Sequence, residues 1–497
     1  MDDLKLYARN KVMLEELVGV VKGYSDDIGM EFGMSKCAVL TVEKGSRDEE
    51  EEGLELPSGE VMKTVDEDGY KYLGVLQKEK FMYEEMKIKV ETEYFRRLVC
   101  LLKSQLYAGN MIAGINAWAI GIVRYTAGVL DWTKKELENM DKKTRKTMTM
   151  HGAFHRKSSV NRLYMKRKDG GRGLMSVFDC VKCEEENLLK YATESSEWML
   201  QKVVEHGIVS GTVEAVDHKT RMDAKRKEEL VAKPLHGRYL RGLKDEKGED
   251  IAGPRSWEWV RSGYMTKSTE AYMFAAQEQA LGTRAVRSKI YREVDEDGNR
   301  VSALCRICGK KIETVAHIAG GCGVLMKGPG TVRHDRMGAR VHWELCKKYG
   351  VKDTVDQWYK HKPHSVEKSE SGEVTLHWDV QWHTARGVQY NRPDVVIENT
   401  RDKLWTIIDF SVPLDHNIVT KQQWKVEKYH KLAAEFRKMK NGKINTKIIP
   451  IVVGAFGAIP ERLPEYLKEL GIPDVVGGLQ KTALLGTQRI LKNVLSL

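Results

Sequence analysis

The sequence predicts an α+β chain of several domains, and three observations carry that reading. At 497 residues it is too long for a single core, and a domain size of about 150 residues implies three or four. The periodicity of its apolar residues then changes along the chain, from short runs broken by turn signals to helical spacing, and finally to an alternation of helices and strands. Between these regions lies a compact group of cysteines and one histidine, a pattern of a small metal-stabilised module.

Taken in order, residues 1–80 hold short apolar runs. "GMEFGMSKCAVLTVE" (29–43) ends as a strand, and "YKYLGV" (70–75) is a short β segment closed by Gly74. From 81 to 190 the spacing is helical. "MYEEMKIKVETEYFRRLVCLLKSQLY" repeats its apolar residues every three or four positions, and "WTKKELENMDKKTRKTMTMHG" opens with a threonine cap and an acidic first turn. The most apolar window, 106–130, is interrupted by Asn110, Asn116 and Arg124; it reads as a buried pair of helices, and no membrane span is expected. Cys180 and Cys183 have a metal-like spacing but no second half nearby, and they read as core. Residues 191–295 are polar, mostly helical and basic, the composition of a linker.

Charge and cysteine usage narrow the class. Lys and Arg number 82 against 71 Asp and Glu, a surplus of 11 that favours a polyanionic partner. Eight cysteines in so long a chain are too sparse for a disulfide framework, which points to a reduced, intracellular setting.

Within 296–330, "CRICGKKIETVAHIAGGC" supplies Cys305, Cys308, His317 and Cys322, with two, eight and four residues between successive ligands. A two-residue gap lets both thiolates of a knuckle reach one ion, and four filled positions describe a structural zinc. Upstream, Arg284, Arg287 and Lys289 are placed for phosphate contact, although a solvated helix face explains such charges as well.

Residues 331–497 carry the sharpest chemistry. "NRPDVVIENTRDKLWTIIDFSVP" sets Asp394 and Asp409 with fourteen residues between them, on two apolar runs joined by the turn signal "NTRDK". Paired as a hairpin, these runs bring both carboxylates to one end of a sheet, a hard oxygen site suited to Mg²⁺. On the following helix pattern, Lys425, Tyr429, Leu432 and Phe436 share one face, which aims Lys425 at the carboxylates; Lys428 lies to one side and Glu427 points away.

The opening "MDDLKLY" is, on composition alone, a solvated terminus. Followed by "IGMEFGMSKC" and "YKYLGV", however, it resembles the last three palm motifs of a reverse transcriptase, in order and at their intervals. Asp2 and Asp3 match the palm aspartate pair, Lys36 the lysine that follows, and Tyr72, Leu73 and Gly74 the primer-grip turn. Residues 114–174 look like the thumb of non-LTR retrotransposon polyproteins. The C-terminal order of elements resembles the PD-(D/E)xK restriction-like endonuclease that ends many of them, where "RHD" (Arg333, His334 and Asp335) also has a counterpart.

The resemblance implies a polymerase palm remnant over 1–80, a helical thumb over 81–190, a linker over 191–295, a zinc knuckle over 296–330 and an endonuclease over 331–497. It implies catalysis by Asp394, Asp409 and Lys425, with Arg333 and His334 among the nucleic-acid contacts. One departure is that Ser411 stands where the lysine usually follows the second acid, so that lysine is expected from the helix. The fingers and the earlier palm strand are expected upstream of Met1, which makes this chain an incomplete polymerase that retains a nicking endonuclease for target-primed reverse transcription. The expected partners are target DNA and element RNA, the cofactors Zn²⁺ and Mg²⁺, and the location nuclear. The competing expectation is a catalytically inactive or domesticated nucleic-acid-binding protein.

Overall fold

The computed structural model describes residues 4–497 except 45, 48–52, 57, 210–213, 215, 245–247, 249, 250 and 263. It is a mixed α+β structure, about 52% helical with several small sheets. Two compact units interleave along the chain: one takes 1–99, 117–142 and 177–215, the other 100–116, 143–176 and 216–497.

In the first unit, the helix Lys11–Asp27 starts where the Asn10 side chain accepts the Met13 amide at 2.9 Å. Strand Val61–Thr64 pairs parallel with Ala38–Val39 and antiparallel with Leu54–Glu55, and Val18, Val39, Leu54, Leu56 and Met62 form the small core. "YKYLGV" is half of a hairpin, Tyr70–Tyr72 against Val75–Gln77. Its two turn residues, Leu73 and Gly74, have φ of 46° and 82°, and the Tyr125 hydroxyl donates to the Leu73 carbonyl at 2.7 Å. Helix Tyr83–Lys103 follows. Helix Lys134–Met150 opens with a reciprocal cap: the Thr133 amide donates to the Glu136 carboxylate, and the Glu136 amide to the Thr133 hydroxyl. Cys180 and Cys183 lie on helix Val177–Glu194, with Cys180 buried.

The apolar window is one helical run and not the expected pair. Ala108–Gly114 passes through a π-turn, Ile115–Ala119, into Ile120–Thr126. Gly114 does not break the run, because a Cβ there would stand only 3.0 Å from the Leu101 side chain, and the helix needs the close approach more than it loses in propensity. No helix among the described residues is long and apolar enough to cross a membrane.

Part of the polar stretch 191–295, chiefly 253–288, is core. Trp259, Met273, Phe274 and Ala276 are buried in the second unit beside Cys305, Ile318, Cys322, Leu484 and Leu491. Helix Lys267–Gln277 carries Glu270, which is fully buried and accepts from Arg167 and Arg172. Such internal ion pairs give a buried helix the composition of a solvated one, which is why the segment reads as a linker.

The C-terminal region is a three-layer assembly. Helix α1 (Pro329–Tyr349) leads to strands β1 (Val366–Lys368), β2 (Val374–Trp378), β3 (Val395–Asn399) and β4 (Leu404–Ser411), then to helix α2 (Ile418–Met439), strand β5 (Asn445–Val452) and helices α3 (Leu463–Glu469) and α4 (Val476–Leu495). The sheet order is β5-β4-β3-β2-β1; β4 and β5 run parallel, joined through α2, and the other pairs are antiparallel. Alternate residues of β3 and β4 serve opposite faces. Val395, Ile397, Ile408 and Phe410 pack with Met337 and Val341 of α1 and Leu479 of α4, whereas Val396, Trp405 and Ile407 pack with Tyr429, Leu432 and Phe436 of α2. At Gly338 a Cβ would stand 2.7 Å from Trp378 and 2.9 Å from Phe410, so α1 lies on the sheet at a distance only glycine permits.

Candidate active site and metal centre

The hairpin β3–β4 turns at 400–403, with Lys403 at φ 50°. Val395 stands opposite Ile408, so the same register carried one step further sets Asp394 opposite Asp409 at the end of the strand pair. Asp409 is 2% exposed. The Lys425 ammonium contacts its Oδ2, and the Tyr429 hydroxyl donates to its Oδ1 at 2.7 Å. Lys428 Nζ stands 3.6 Å from Oδ1 and lies over the rings of Tyr429, Trp424 and Tyr390. Both lysines and Tyr429 come from α2, whose inward face is the one the 3.6-residue period assigns to Lys425 and Tyr429.

Asp394 is reached from two sides. The Phe410 amide donates to its Oδ2 at 2.6 Å, and His334 Nε2, from α1, lies 3.3 Å from the same oxygen. Burial opposes ionisation of Asp394, but His334, the Phe410 amide and Lys425 outweigh it and hold the pKa below the usual carboxylate value. Burial also works against a charge on His334, yet Asp394 and Asp335 carry its pKa above the ordinary histidine value. Burial pushes Lys425 down to about 8 against the pull of Asp394. Two carboxylates on adjacent strands, one half-accessible, are a donor set of hard oxygens that fits Mg²⁺.

Four cysteine and histidine side chains meet at the second candidate site. The ligand atoms of Cys305, Cys308, His317 and Cys322 all lie within 4.8 Å of one another, and they could hold a metal ion. Cys308 Sγ and His317 Nε2 are 3.4 Å apart. The Lys310 and Lys311 amides, with His317, pull the Cys308 thiol down to about 6, while burial raises that of Cys305. Glu313, fully buried, ties the module together by accepting the amides of Arg284 and Arg306 and the Arg306 guanidinium.

The remaining sequence-based sites are distributed differently. Arg333 is 3% exposed; it donates to the Ala319 carbonyl and the Thr487 hydroxyl through one nitrogen and to the Val412 carbonyl through another. The expectation of a nucleic-acid contact is corrected there, since the guanidinium is enclosed among these acceptors, with its Nε also buried, and is not presented to phosphate. Its neighbour His334 belongs to the Asp394 group. Arg287 pairs with Glu293 at 2.6 Å, Arg284 reaches the Leu304 carbonyl at 3.4 Å, and Lys289 is exposed. Lys36 is exposed at the end of a short turn, Met34–Lys36, whose carbonyl accepts from the Tyr70 hydroxyl. Asp2 and Asp3 lie outside the described residues.

Three contributors escaped sequence reading. The period puts Tyr429 on the inward face without indicating a role, the sequence pattern points His334 toward nucleic acid, and Glu313 sits among turn residues without a periodic signal. No protein-family model matches the chain, and no curated protein matches it.

Proposed function

We propose that the C-terminal sheet carries a Mg²⁺-dependent DNA-nicking centre, in a chain related to the reverse transcriptase polyproteins of non-LTR retrotransposons. The observation that carries this reading is the contact of Lys425 with Asp409 at the strand end where Asp394 also stands. Two further features support it. The order helix, antiparallel strands, helix, parallel strand is the one expected of a restriction-like endonuclease, and Lys425 arrives from the helix as the substitution at Ser411 requires.

Asp394 and Asp409 would hold the ion, which when bound acidifies a water and offsets charge on the scissile phosphate. His334 and the Phe410 amide orient Asp394, and Tyr429 orients Asp409. Lys425 places a cation beside both and stabilises charge that builds on the phosphate. The Cys/His cluster would hold zinc as a structural ion, since four ligands leave no position for water. On this reading DNA and element RNA are the partners, the nucleus is the place of action, and Lys36 with the Leu73–Gly74 hairpin belongs to a palm-derived segment.

One observation favours a second reading, a nucleic-acid-binding module with a silent centre: Asp409 is almost fully enclosed, with Lys425 on one oxygen and Tyr429 on the other. Incubation of a nicked-product assay's duplex substrate with the full chain separates the two readings, since strand breaks that require Asp394 support the first and binding without breaks supports the second.

A further inference from the structure

We propose that His342, Cys346, His361 and Glu367 form a second metal site, one that takes zinc and fastens α1 to the edge of the sheet. Their ligand atoms lie within 4.8 Å of one another, as closely grouped as those of the Cys/His cluster. The individual spacings are short: His342 Nδ1 stands 2.8 Å from His361 Nε2 and 3.4 Å from Cys346 Sγ, and the Cys346 thiol donates to Glu367 Oε2 at 2.9 Å. Around a tetrahedral zinc, with ligand bonds of about 2.0–2.3 Å, neighbouring donors stand roughly 3.3–3.7 Å apart. Set against those separations, the His342–His361 and Cys346–Glu367 edges would open by about half an ångström, and the His342–Cys346 edge already has its length.

The residues come from three separate elements. His342 and Cys346 are one helical turn apart on α1 and share a face; His361 follows the short turn Trp358–Lys360; Glu367 lies on β1. This scatter hides the site from a search for closely spaced ligand pairs. Enclosure argues against chance surface grouping, since His342 is fully buried, Cys346 is buried and the other two are half-buried. His342 Nδ1 is the nitrogen turned toward His361 and Cys346, and Glu367 Oε2 lies 3.8 Å from the Nε2 of the same ring.

The donor chemistry selects the ion. A thiolate with two imidazoles excludes the hard ions that the Asp394 site suits, and one carboxylate completes a set typical of zinc. Binding releases the Cys346 proton to solvent, and the thiolate and Glu367 together neutralise the divalent charge. All four positions are filled by protein, so the ion has a structural role.

What it would hold in place follows from the fold. His334 lies two turns before His342 on α1, so a clamp at His342 and Cys346 fixes the helix that delivers His334 to Asp394. Between the clamp's ends, residues 350–365 hold no helix longer than the short turn Trp358–Lys360, and closing that segment restricts its freedom.

The test is metal content of the purified full chain by elemental analysis, together with Co²⁺ substitution followed by absorption. Two zinc ions per chain are expected. Cys346→Ser and His361→Ala should each remove one, and Cys308→Ser should remove the other while leaving the His342 site loaded. In the Co²⁺ protein, Cys346→Ser should delete a component with weaker thiolate-to-metal absorption than the three-cysteine site gives. Should Cys346→Ser fail to fold, the half-buried His361→Ala supplies the same comparison. An unchanged zinc count in His361→Ala, or a single zinc in wild type that Cys308→Ser abolishes, overturns the proposal. None of these outcomes depends on nuclease activity.

Discussion

The Lys425 ammonium rests directly on the Asp409 carboxylate, with 8% and 3% of the two side chains exposed. An ion pair this enclosed has its charges desolvated, so each partner depends on the other. Removing one leaves a bare charge in the core. Lys425→Ala and Asp409→Ala should each lower unfolding free energy by about 3–5 kcal/mol. Lys428 is held at longer range and is more exposed, and Lys428→Ala should cost about 1 kcal/mol or less. Urea denaturation of the three variants checks the ranking.

Arg333 makes a contrasting prediction. Its guanidinium satisfies Ala319, Thr487 and Val412 inside the C-terminal unit. Arg333→Ala strands those acceptors and should destabilise by on the order of 3 kcal/mol. The salt dependence of DNA affinity should not change, because that slope counts phosphate contacts. A flatter slope at full stability would return Arg333 to the nucleic-acid surface.

Asp415 makes stability respond to pH. Fully buried, it accepts the Phe456 and Ala458 amides at 2.8 Å, yet burial still raises its pKa from 3.8 to about 6. Between those values the folded state binds a proton that the unfolded state does not, so this contribution to stability falls as pH rises and is at its lowest above about 6. Two pKa units correspond to about 3 kcal/mol. On acidification from pH 6 to 4, wild type should gain up to that amount relative to Asp415→Asn, measured by denaturation at each pH. Parallel stability curves would contradict the assignment.

The Cys/His cluster is built into a larger core, since Cys305 and Cys322 pack beside Phe274, Ile318 and Leu491. On the reading that this cluster holds zinc, Cys308→Ser should therefore lower the stability of the whole second unit, where an isolated knuckle would unfold locally. Calorimetry of wild type and Cys308→Ser checks this, with a broadened, earlier transition expected in the variant.

Residues with a period were legible in the sequence. The Asp394 to Asp409 hairpin, its turn, the inward face of α2 and the CCHC spacing all follow from local patterns, and the structure has strands, turn, helix and ligand cluster at those positions. Partners brought from distant segments were not legible. His334 reaches Asp394 across 60 residues of chain, and His342, Cys346, His361 and Glu367 converge from a helix, a turn and an edge strand. Buried ion pairs misled in the other direction: Glu270 with Arg167 and Arg172 makes a core helix look like linker, and "RHD" holds one structural arginine beside one histidine of the acid cluster. Composition reports polarity, whereas burial depends on where the partner lies.

The most direct measurement is nicking of supercoiled plasmid by the full chain in Mg²⁺, with Asp394→Ala and Asp409→Ala beside it at equal protein and salt and with binding followed on the same DNA. Wild type should convert the plasmid to open circles, an activity lost on chelation and in both variants, while affinity is retained because basic contacts elsewhere supply it. Lys425→Ala should fail in the same way, and Lys428→Ala should cut more than it does. Wild type that binds every duplex and cuts none, or Asp394→Ala that cuts as well as wild type, would contradict the nicking proposal.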